Sequence, residues 1–293
     1  MTTLAATGLK ELLPLCNSCC RIVSILYGIS FALTCAERLA SREDFASTGW
    51  LPWNIVGFDT LTRPDRKLYL RNPQLYQYLF DTKAMSQFML AGLVGTVLIV
   101  TSPVSSPMFT IGVFLTMLSG FMLQVRSNYG GDGAQQMNTI LGAALLLGFN
   151  PWISPIAGII GLTFVAAQAC LSYFVSGVAK LISPLWRSGD ALPRILSTTA
   201  YGSAAAYRIA QQNPTLTRIL CKATVLLEVL FPVLLILPKE LFFAFLIWGV
   251  LFHLSLAFLM GLNTFFWSFV ATYPAIYFVW TLLHSTLMRG LKP

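Results

Sequence analysis

Residues 241–262 read LFFAFLIWGVLFHLSLAFLMGL, a run of 22 residues that contains no Asp, Glu, Lys or Arg. A helix of this length extends about 33 Å, which is enough to cross the hydrocarbon core of a bilayer, about 30 Å thick. Runs of similar length and composition recur along the chain. The sequence therefore predicts an all-α protein whose helices cross a membrane.

The composition of the whole chain also indicates a membrane protein. Of 293 residues, 56% are hydrophobic and 10% are charged, whereas about a quarter of the residues of a soluble domain are charged. The 19 Lys and Arg against 11 Asp and Glu give a net charge of +8, which indicates attraction to the anionic headgroups of the lipid bilayer. These basic residues form no soluble basic domain, so nucleic acid is not expected as a partner.

Hydropathy predicts a polytopic transmembrane helix bundle of about eight spans, formed by a single domain that covers residues 1–293. Two longer and more polar segments, from Glu37 to Ala84 and from Ser183 to Arg218, are predicted to hold interfacial helices. Prolines predict short turns between neighbouring spans, at Pro103, Pro107, Pro151, Pro155 and Pro238. The predicted spans are Cys19–Ala36, Met85–Val104, Met108–Val125, Met137–Ile153, Ile156–Ile182, Ile219–Leu237, Leu241–Leu262 and Phe265–Leu287.

Three ionisable side chains fall inside apolar runs, where each charge costs about 2.5 kcal/mol or more by insertion scales. They are Lys180, Glu228 and His253. Lys180 shares one helix face with other residues at helical spacing, namely Tyr173, Ser176 and Gly177. The face therefore presents hydroxyl groups, a close-approach glycine and an amine together.

Each of the three ionisable residues has a structural interpretation and a chemical one. In the structural interpretation Lys180 reaches the interface, Glu228 pairs with Lys222 or Lys180, and His253 donates to a neighbouring helix backbone. In the chemical interpretation an acid, an imidazole and an amine in a medium of low dielectric are the groups that proton transfer requires. Their presence on three separate helices favours Lys180, Glu228 and His253 as catalytic residues.

The segment RSNYGGDG, residues 126–133, separates two apolar runs. It is interpreted either as a flexible turn or as part of a site. In a site, Gly130 and Gly131 would let backbone amides approach a ligand, and Asp132, a fourth candidate catalytic residue, would orient Lys180 or Arg126. Two histidines and scattered thiols give no ligand spacing, so no metal is predicted.

Three stretches of the chain together resemble the horizontally transferred transmembrane (HTTM) domain family, whose best-known member is vitamin K-dependent γ-carboxylase. The stretches are residues 126–132 (RSNYGGD), residues 173–181 followed by Trp186 to Gly189, and residues 228–235 followed by Phe252 and His253. The second is the most specific, because the carboxylase has a similar tyrosine-to-lysine stretch followed by tryptophan and glycine at nearly the same spacing.

The resemblance implies that Lys180 is the base that acts on vitamin K hydroquinone, which starts an oxygen-dependent epoxidation coupled to glutamate carboxylation. A quinol of the menaquinol or vitamin K hydroquinone type is the implied cofactor. The residues expected to bind substrate are Tyr173, Ser176, Gly177, Arg126, Gly130, Gly131 and Trp186.

Two departures from the carboxylase pattern favour a stand-alone bacterial member. A functional histidine of the carboxylase lies near the position of the Gly-Gly-Asp segment, where this chain has none. The carboxylase's large extracytoplasmic domain is not expected either, since Pro293 comes soon after the last predicted span. One such bacterial branch is similar to sporulation-delaying protein B, which helps mature a secreted peptide toxin.

The sequence leaves three functions open. The first is a quinol-linked membrane enzyme with an intramembrane lysine base, which modifies or matures a secreted peptide of bacteriocin type. The second is a non-catalytic maturation or export partner for a hydrophobic peptide toxin, acting with a small accessory protein. The third is a proton-coupled transporter that relays protons through Glu228 and His253. All three place the protein in the membrane as a multi-pass protein, expected to be the bacterial plasma membrane.

Overall fold

The structure of this chain is a computed structural model that describes residues 2–46, 48–49, 52–57, 66–127, 133–150, 152–154 and 156–290. No strand occurs among these residues. Seven helical segments in this part of the chain are long and apolar enough to cross a membrane, which confirms the all-α polytopic fold. Those segments are Leu12–Ala40, Thr82–Thr101, Pro107–Arg126, Ile156–Ile182, Pro214–Ile236, Lys239–Met260 and Asn263–Thr286.

The helices of the described residues are numbered in chain order. Their bounds are α1 (Thr2–Ala40), α2 (Trp53–Val56), α3 (Arg66–Arg71), α4 (Pro73–Phe80), α5 (Thr82–Thr101), α6 (Pro107–Ser127), α7 (Gly133–Gly148), α8 (Ile156–Ile182), α9 (Pro184–Ser188), α10 (Ala191–Leu196), α11 (Ala204–Gln212), α12 (Pro214–Leu230), α13 (Lys239–Met260), α14 (Asn263–Val270) and α15 (Tyr273–Gly290). Short 3-10 segments follow α1 at Arg42–Phe45 and α12 at Phe231–Ile236.

The two polar segments contain short helices, as predicted. The first holds α2, α3 and α4, and the second holds α9, α10 and α11. Helix α11 begins after Ser203, whose hydroxyl accepts a hydrogen bond from the Ala206 amide at 3.4 Å, the usual role of serine at a helix N-terminus.

The helix found near the predicted span Met137–Ile153 begins four residues earlier and ends five residues earlier, at Gly148. Helix α7 has 16 residues, so it extends about 24 Å and falls short of the hydrocarbon core of about 30 Å. Within the described residues the helices long enough to cross therefore number seven and not eight. The early end follows from Pro151 in the sequence, because the residue before a proline disfavours the helical conformation.

Two other spans contain a break that hydropathy does not reveal. Helix α12 gives way to a 3-10 segment at Phe231, since Pro232 has no N–H to donate to the carbonyl of Glu228. The last span consists of α14 and α15, which are separate helices. Pro274 lies in the first turn of α15, where a proline begins a helix without loss of a hydrogen bond.

The chain divides into two compact units, and the boundaries fall within α1 and α8. Unit 1 consists of residues 1–19 and 162–293, and unit 2 consists of residues 20–161.

Close packing of α5 against α6 organises unit 2. A Cβ atom on Gly95 would lie 2.6 Å from the carbonyl oxygen of Gly112, and one on Gly112 would lie 2.7 Å from that of Gly95. Small residues are required at such crossings because they let the two backbones touch. The side chain of Arg21 on α1 satisfies the end of α5, donating to the carbonyls of Ile99 and Ser102 at 2.7 Å each.

Aromatic side chains fill unit 1. The ring of Phe242 stacks on Trp280 with centroids 4.8 Å apart, and the indole N–H of Trp280 donates to the carbonyl of Leu237 at 2.9 Å. Phe231, Phe242 and Phe278 have no exposed surface. One of these rings, Phe231, stacks on Tyr173 of α8.

Candidate functional site

One face of α8 in unit 1 carries four of the predicted site residues. Tyr173, Ser176, Gly177 and Lys180 are three or four residues apart, the spacing that places side chains on one side of a helix. Tyr173 contacts α13 and α15, whereas Gly177 and Lys180 contact α12. The face predicted from the spacing is thus an inward face of unit 1.

Lys180 forms an ion pair with Glu228 of α12. Its ammonium donates to Glu228 Oε1 at 2.8 Å and Oε2 at 2.6 Å, and it also donates to the hydroxyl of Ser176. The Lys180 side chain is 20% exposed and that of Glu228 is 6% exposed. Because an ammonium has three N–H donors, this arrangement matches each of them with an acceptor.

The pair joins the last turn of α8 to the last turn of α12, because Lys180 and Glu228 each lie two residues before the end of their helix. Arg218 lies four residues after the first residue of α12, and its Nε donates to the carbonyl of Ser188 at 3.2 Å. Glu228 follows ten residues later, a distance of about 15 Å along the helix axis. Lys222, the other lysine considered as a partner for Glu228, is exposed. Glu228 is therefore paired inside the apolar span with Lys180.

Gly177 allows the two helices to come close enough for this pairing. A Cβ atom at this position would lie 2.6 Å from the backbone nitrogen of Val229 and 2.8 Å from the carbonyl carbon and Cβ of Glu228. Any side chain would therefore push α12 away from α8. The glycine places the backbone of Glu228 against the turn of α8 that precedes Lys180.

Trp186 of α9 forms the remaining contact of the ammonium. The Lys180 Nζ lies 5.3 Å from the centroid of the indole ring, within the range of a cation–π interaction. Trp186, which the family resemblance indicated as a substrate-binding residue, therefore lies beside Lys180.

A second polar cluster lies on the same face of α8. The hydroxyl of Tyr173 is hydrogen-bonded to His253 Nε2 of α13, and it lies 2.9 Å from the hydroxyl of Tyr273 on α15. His253 is thus hydrogen-bonded to a side chain, whereas the structural interpretation of the sequence expected a bond to the backbone of a neighbouring helix. Its Nδ1 atom is buried and has no hydrogen-bond partner among the described residues.

Aromatic rings fix the orientation of this cluster. The His253 ring stacks on Phe269 with centroids 4.7 Å apart, and the Tyr173 ring stacks on Phe231 at 3.7 Å. Tyr173 is 3% exposed and His253 is 1% exposed. Because Tyr173 and Lys180 lie on the same face of α8, seven residues apart, the two clusters are separated by about 10 Å along that face.

Tyr273 was not found from the sequence. Its hydroxyl reaches Tyr173 beside Gly249 of α13, where a Cβ atom would collide with it. Its position in an apolar span could have indicated it, because the hydroxyl of a buried tyrosine needs a hydrogen-bond partner. The glycine on the facing helix could not be assigned to it without the structure.

Arg126 belongs to unit 2, where it binds backbone carbonyls of the same unit. Its Nε donates to the carbonyl of Phe80 at 3.0 Å and its Nη2 to that of Phe45 at 3.1 Å. The guanidinium also lies 5.3 Å from the ring centroid of Phe45 and 5.6 Å from that of Trp53. These contacts join α6 to the chain between α1 and α5. The predicted residues Gly130, Gly131 and Asp132 lie outside the described residues.

Within the described residues, no group of three or more His, Cys, Asp or Glu side chains is placed to hold a metal ion. Comparison of the chain with family models, with curated proteins and with solved structures finds no match. The arrangement itself offers an amine, a carboxylate, hydroxyls and an imidazole, all held in an apolar environment.

Proposed function

We propose that this protein is a membrane-embedded enzyme of the carboxylase-like class in which Lys180 acts as a base on a lipid-soluble substrate. The observation that carries the proposal is the contact of the Lys180 ammonium with both oxygens of Glu228 inside the span. A proton passed from Nζ to the carboxylate would leave a neutral amine beside a neutral acid. That amine would then accept a proton from the substrate.

A quinol is the substrate class that we propose. Its hydroxyl group carries the proton to be removed, and its oxidation supplies the driving chemistry when it is bound. The residues present suit such a compound, since Trp186 offers an aromatic face beside Nζ and Ser176 offers a hydroxyl that already contacts the amine. We place the reaction in a bacterial plasma membrane, with a secreted peptide as the modified product.

The test compares Lys180→Ala and Lys180→Arg with the native protein in isolated membranes. Oxygen uptake with added reduced menaquinone and modification of a peptide substrate are measured, together with protein abundance. Both variants should lose activity, because alanine has no amine and arginine does not readily release its proton. Lys222→Ala is the matched control, since Lys222 is an exposed lysine on the same helix, six residues before Glu228.

A double variant separates loss of chemistry from loss of folding. Lys180→Met with Glu228→Leu removes both charges together, which leaves no buried unpaired ion. This protein should reach normal abundance and remain inactive. Full activity in the double variant would contradict the assignment of Lys180 as the base.

We propose a non-catalytic partner in peptide maturation or export as the second candidate. This candidate is favoured by the three acceptors that the protein itself supplies for the Lys180 ammonium. Such complete pairing is expected of a lysine with a purely structural role. Copurification of a small accessory protein in stoichiometric amount, with function retained in the double variant, would select this candidate over the enzyme.

The third candidate, a proton-coupled transporter, is favoured by the hydrogen-bonded series His253, Tyr173 and Tyr273. Such series relay protons inside membrane proteins. Flux in proteoliposomes that depends on a pH gradient and is lost in His253→Phe would select the transporter.

A further inference from the structure

A small polar pocket lies between α1, α6 and α7 of unit 2, with a cavity volume of about 40 Å³. A water molecule needs roughly 10–15 Å³ by this measure, so the pocket has room for about three waters. None of its lining residues belongs to the candidate functional site of unit 1. All three helices contribute polar side chains to the lining, namely Thr34, Arg38, Gln124, Gln135, Asn138 and Thr139.

Asn138 of α7 provides an acceptor that the protein does not pair. Its Nδ2 atom donates to the hydroxyl of Ser30 on α1 at 3.0 Å, and Ser30 has no exposed surface. The Asn138 Oδ1 atom is buried and has no hydrogen-bond partner among the described residues. Buried acceptors are normally matched by a donor from the protein or from ordered water. The occupant of the pocket is therefore expected to carry a hydrogen-bond donor.

The hydroxyl of Tyr27 lies further along α7. A Cβ atom on Gly142 would lie 2.8 Å from the hydroxyl oxygen of Tyr27, which places that oxygen beside Gly142. Tyr27 lines the pocket and is 3% exposed. Gly142 follows Asn138 by four residues, about 6 Å along the helix axis. Because hydrogen-bonded oxygens are about 2.8 Å apart, a short row of waters is long enough to join Asn138 to Tyr27.

Thr34 offers an acceptor on the α1 side of the same pocket. Its hydroxyl donates to the carbonyl of Ser30 at 3.0 Å, and a hydroxyl oxygen that donates can still accept. Asn138 Oδ1, Thr34 Oγ1 and the Tyr27 hydroxyl together give the two to four polar partners that a buried water needs.

We propose that this pocket is a site for ordered water, in which about three molecules join Asn138 Oδ1 to the Tyr27 hydroxyl. A small anion has no donor for Oδ1, and a small cation would lie beside the charge of Arg38. Dry cavities have apolar walls, whereas this pocket has polar side chains from three helices. The water supplies α7, which is too short to cross the bilayer, with polar partners inside the bundle.

Hydroxyl-radical footprinting of the full-length protein in nanodiscs tests this proposal. A millisecond X-ray pulse forms radicals from bound water, and mass spectrometry locates the side chains that they oxidise. Tyr27 and Phe31 line the pocket and are 3% and 5% exposed. Both should be oxidised in spite of this burial. Phe109 and Phe80 are the matched controls, since they are 0% and 4% exposed in the same unit and lie outside the lining. Their oxidation should be several-fold slower.

Rapid mixing with water enriched in oxygen-18 distinguishes ordered water from bulk water. Oxidised Tyr27 should acquire the heavy isotope more slowly than oxidised Tyr78, which is 70% exposed, because the waters of the pocket must exchange before they are replaced. Equal rates at the two tyrosines would assign the oxidation to bulk solvent and overturn the proposal.

Gly120→Leu fills the pocket. A Cβ atom on Gly120 meets only the Phe31 ring, at 3.8 Å, so a leucine enters the cavity without striking backbone. Oxidation of Tyr27 should fall several-fold, to the level of Phe109, while the abundance of the protein stays normal. Leu118→Phe, which adds volume on a side chain that is 39% exposed, is the matched control and should leave the oxidation of Tyr27 unchanged.

Two further results would contradict the proposal. The first is oxidation of Tyr27 and Phe31 in the native protein at the rate of Phe109, which would mean that the pocket is dry or filled by another molecule. The second is unchanged oxidation of Tyr27 in a normally abundant Gly120→Leu variant, because the leucine leaves no room for the waters.

Discussion

The ion pair between Lys180 and Glu228 makes a quantitative prediction about stability. Glu228→Gln keeps the shape of the side chain and removes its charge, which leaves the Lys180 ammonium among apolar helices. Removal of one partner from a buried ion pair costs about 3–5 kcal/mol. We expect a value near the lower end, because the Lys180 side chain retains 20% exposure.

A double-mutant cycle isolates the interaction from other effects of the substitutions. We expect Glu228→Gln to lower the free energy of unfolding by about 3 kcal/mol. Lys180→Met should lower it by about 2 kcal/mol, because the unpaired Glu228 carboxylate can take up a proton and become neutral. The double variant should lose only about 1 kcal/mol, which gives a coupling energy of about 4 kcal/mol. An ordinary hydrogen bond between membrane helices contributes about 0.6 kcal/mol, so the two cases are well separated.

Reversible unfolding in mixed micelles, followed by the fluorescence of the seven tryptophans, measures these free energies. Lys222→Met serves as the control and should change stability by no more than about 0.5 kcal/mol, because this lysine is exposed. A coupling energy below about 0.5 kcal/mol would refute the reasoning, since it would mean that the two side chains do not pair inside the protein.

Two further predictions concern the packing of unit 1. Gly177→Ala should lower the free energy of unfolding by about 2 kcal/mol or more, because the new Cβ atom collides with α12. Gly120→Ala is the control and should be nearly neutral in the same unfolding assay, since its Cβ atom meets only Phe31, at 3.8 Å. Tyr273→Phe should lower the free energy of unfolding by about 1 kcal/mol, because one buried hydrogen bond is lost. The hydroxyl stretching band of Tyr173 in infrared spectra should shift in this variant. An unchanged band would show that the two hydroxyls are not hydrogen-bonded to each other.

The elements of this fold could be predicted largely from hydropathy, because length and apolar composition decide whether a helix spans a bilayer. Proline positions also predicted where α5 ends and where α13 begins. The break after Leu230 and the separation of α14 from α15 were missed, since apolar residues continue through both. Hydropathy measures composition and does not register the loss of an N–H at Pro232.

The sequence predicted which candidate residues share a face of α8 but not which side chains they contact. Helical spacing placed Tyr173 and Lys180 on one face of a single helix, because that relation depends only on local geometry. The choice of Lys180 and not Lys222 as the partner of Glu228 depends on where Gly177 lets α12 approach α8. Contacts between helices arise from packing, and no periodicity in one segment specifies them.

The structural and chemical roles of the ion pair are compatible because of how it conserves charge. A proton that moves from the Lys180 ammonium to the Glu228 carboxylate converts two opposite charges into two neutral groups, so the net charge within the span stays the same. The backbone contact at Gly177 is unaffected by that change, since it involves no ionisable atom. The helices could therefore remain packed during this proton transfer. In the proposed reaction the amine then accepts the proton of the substrate, so the pair carries one positive charge, which the substrate anion left beside it would compensate.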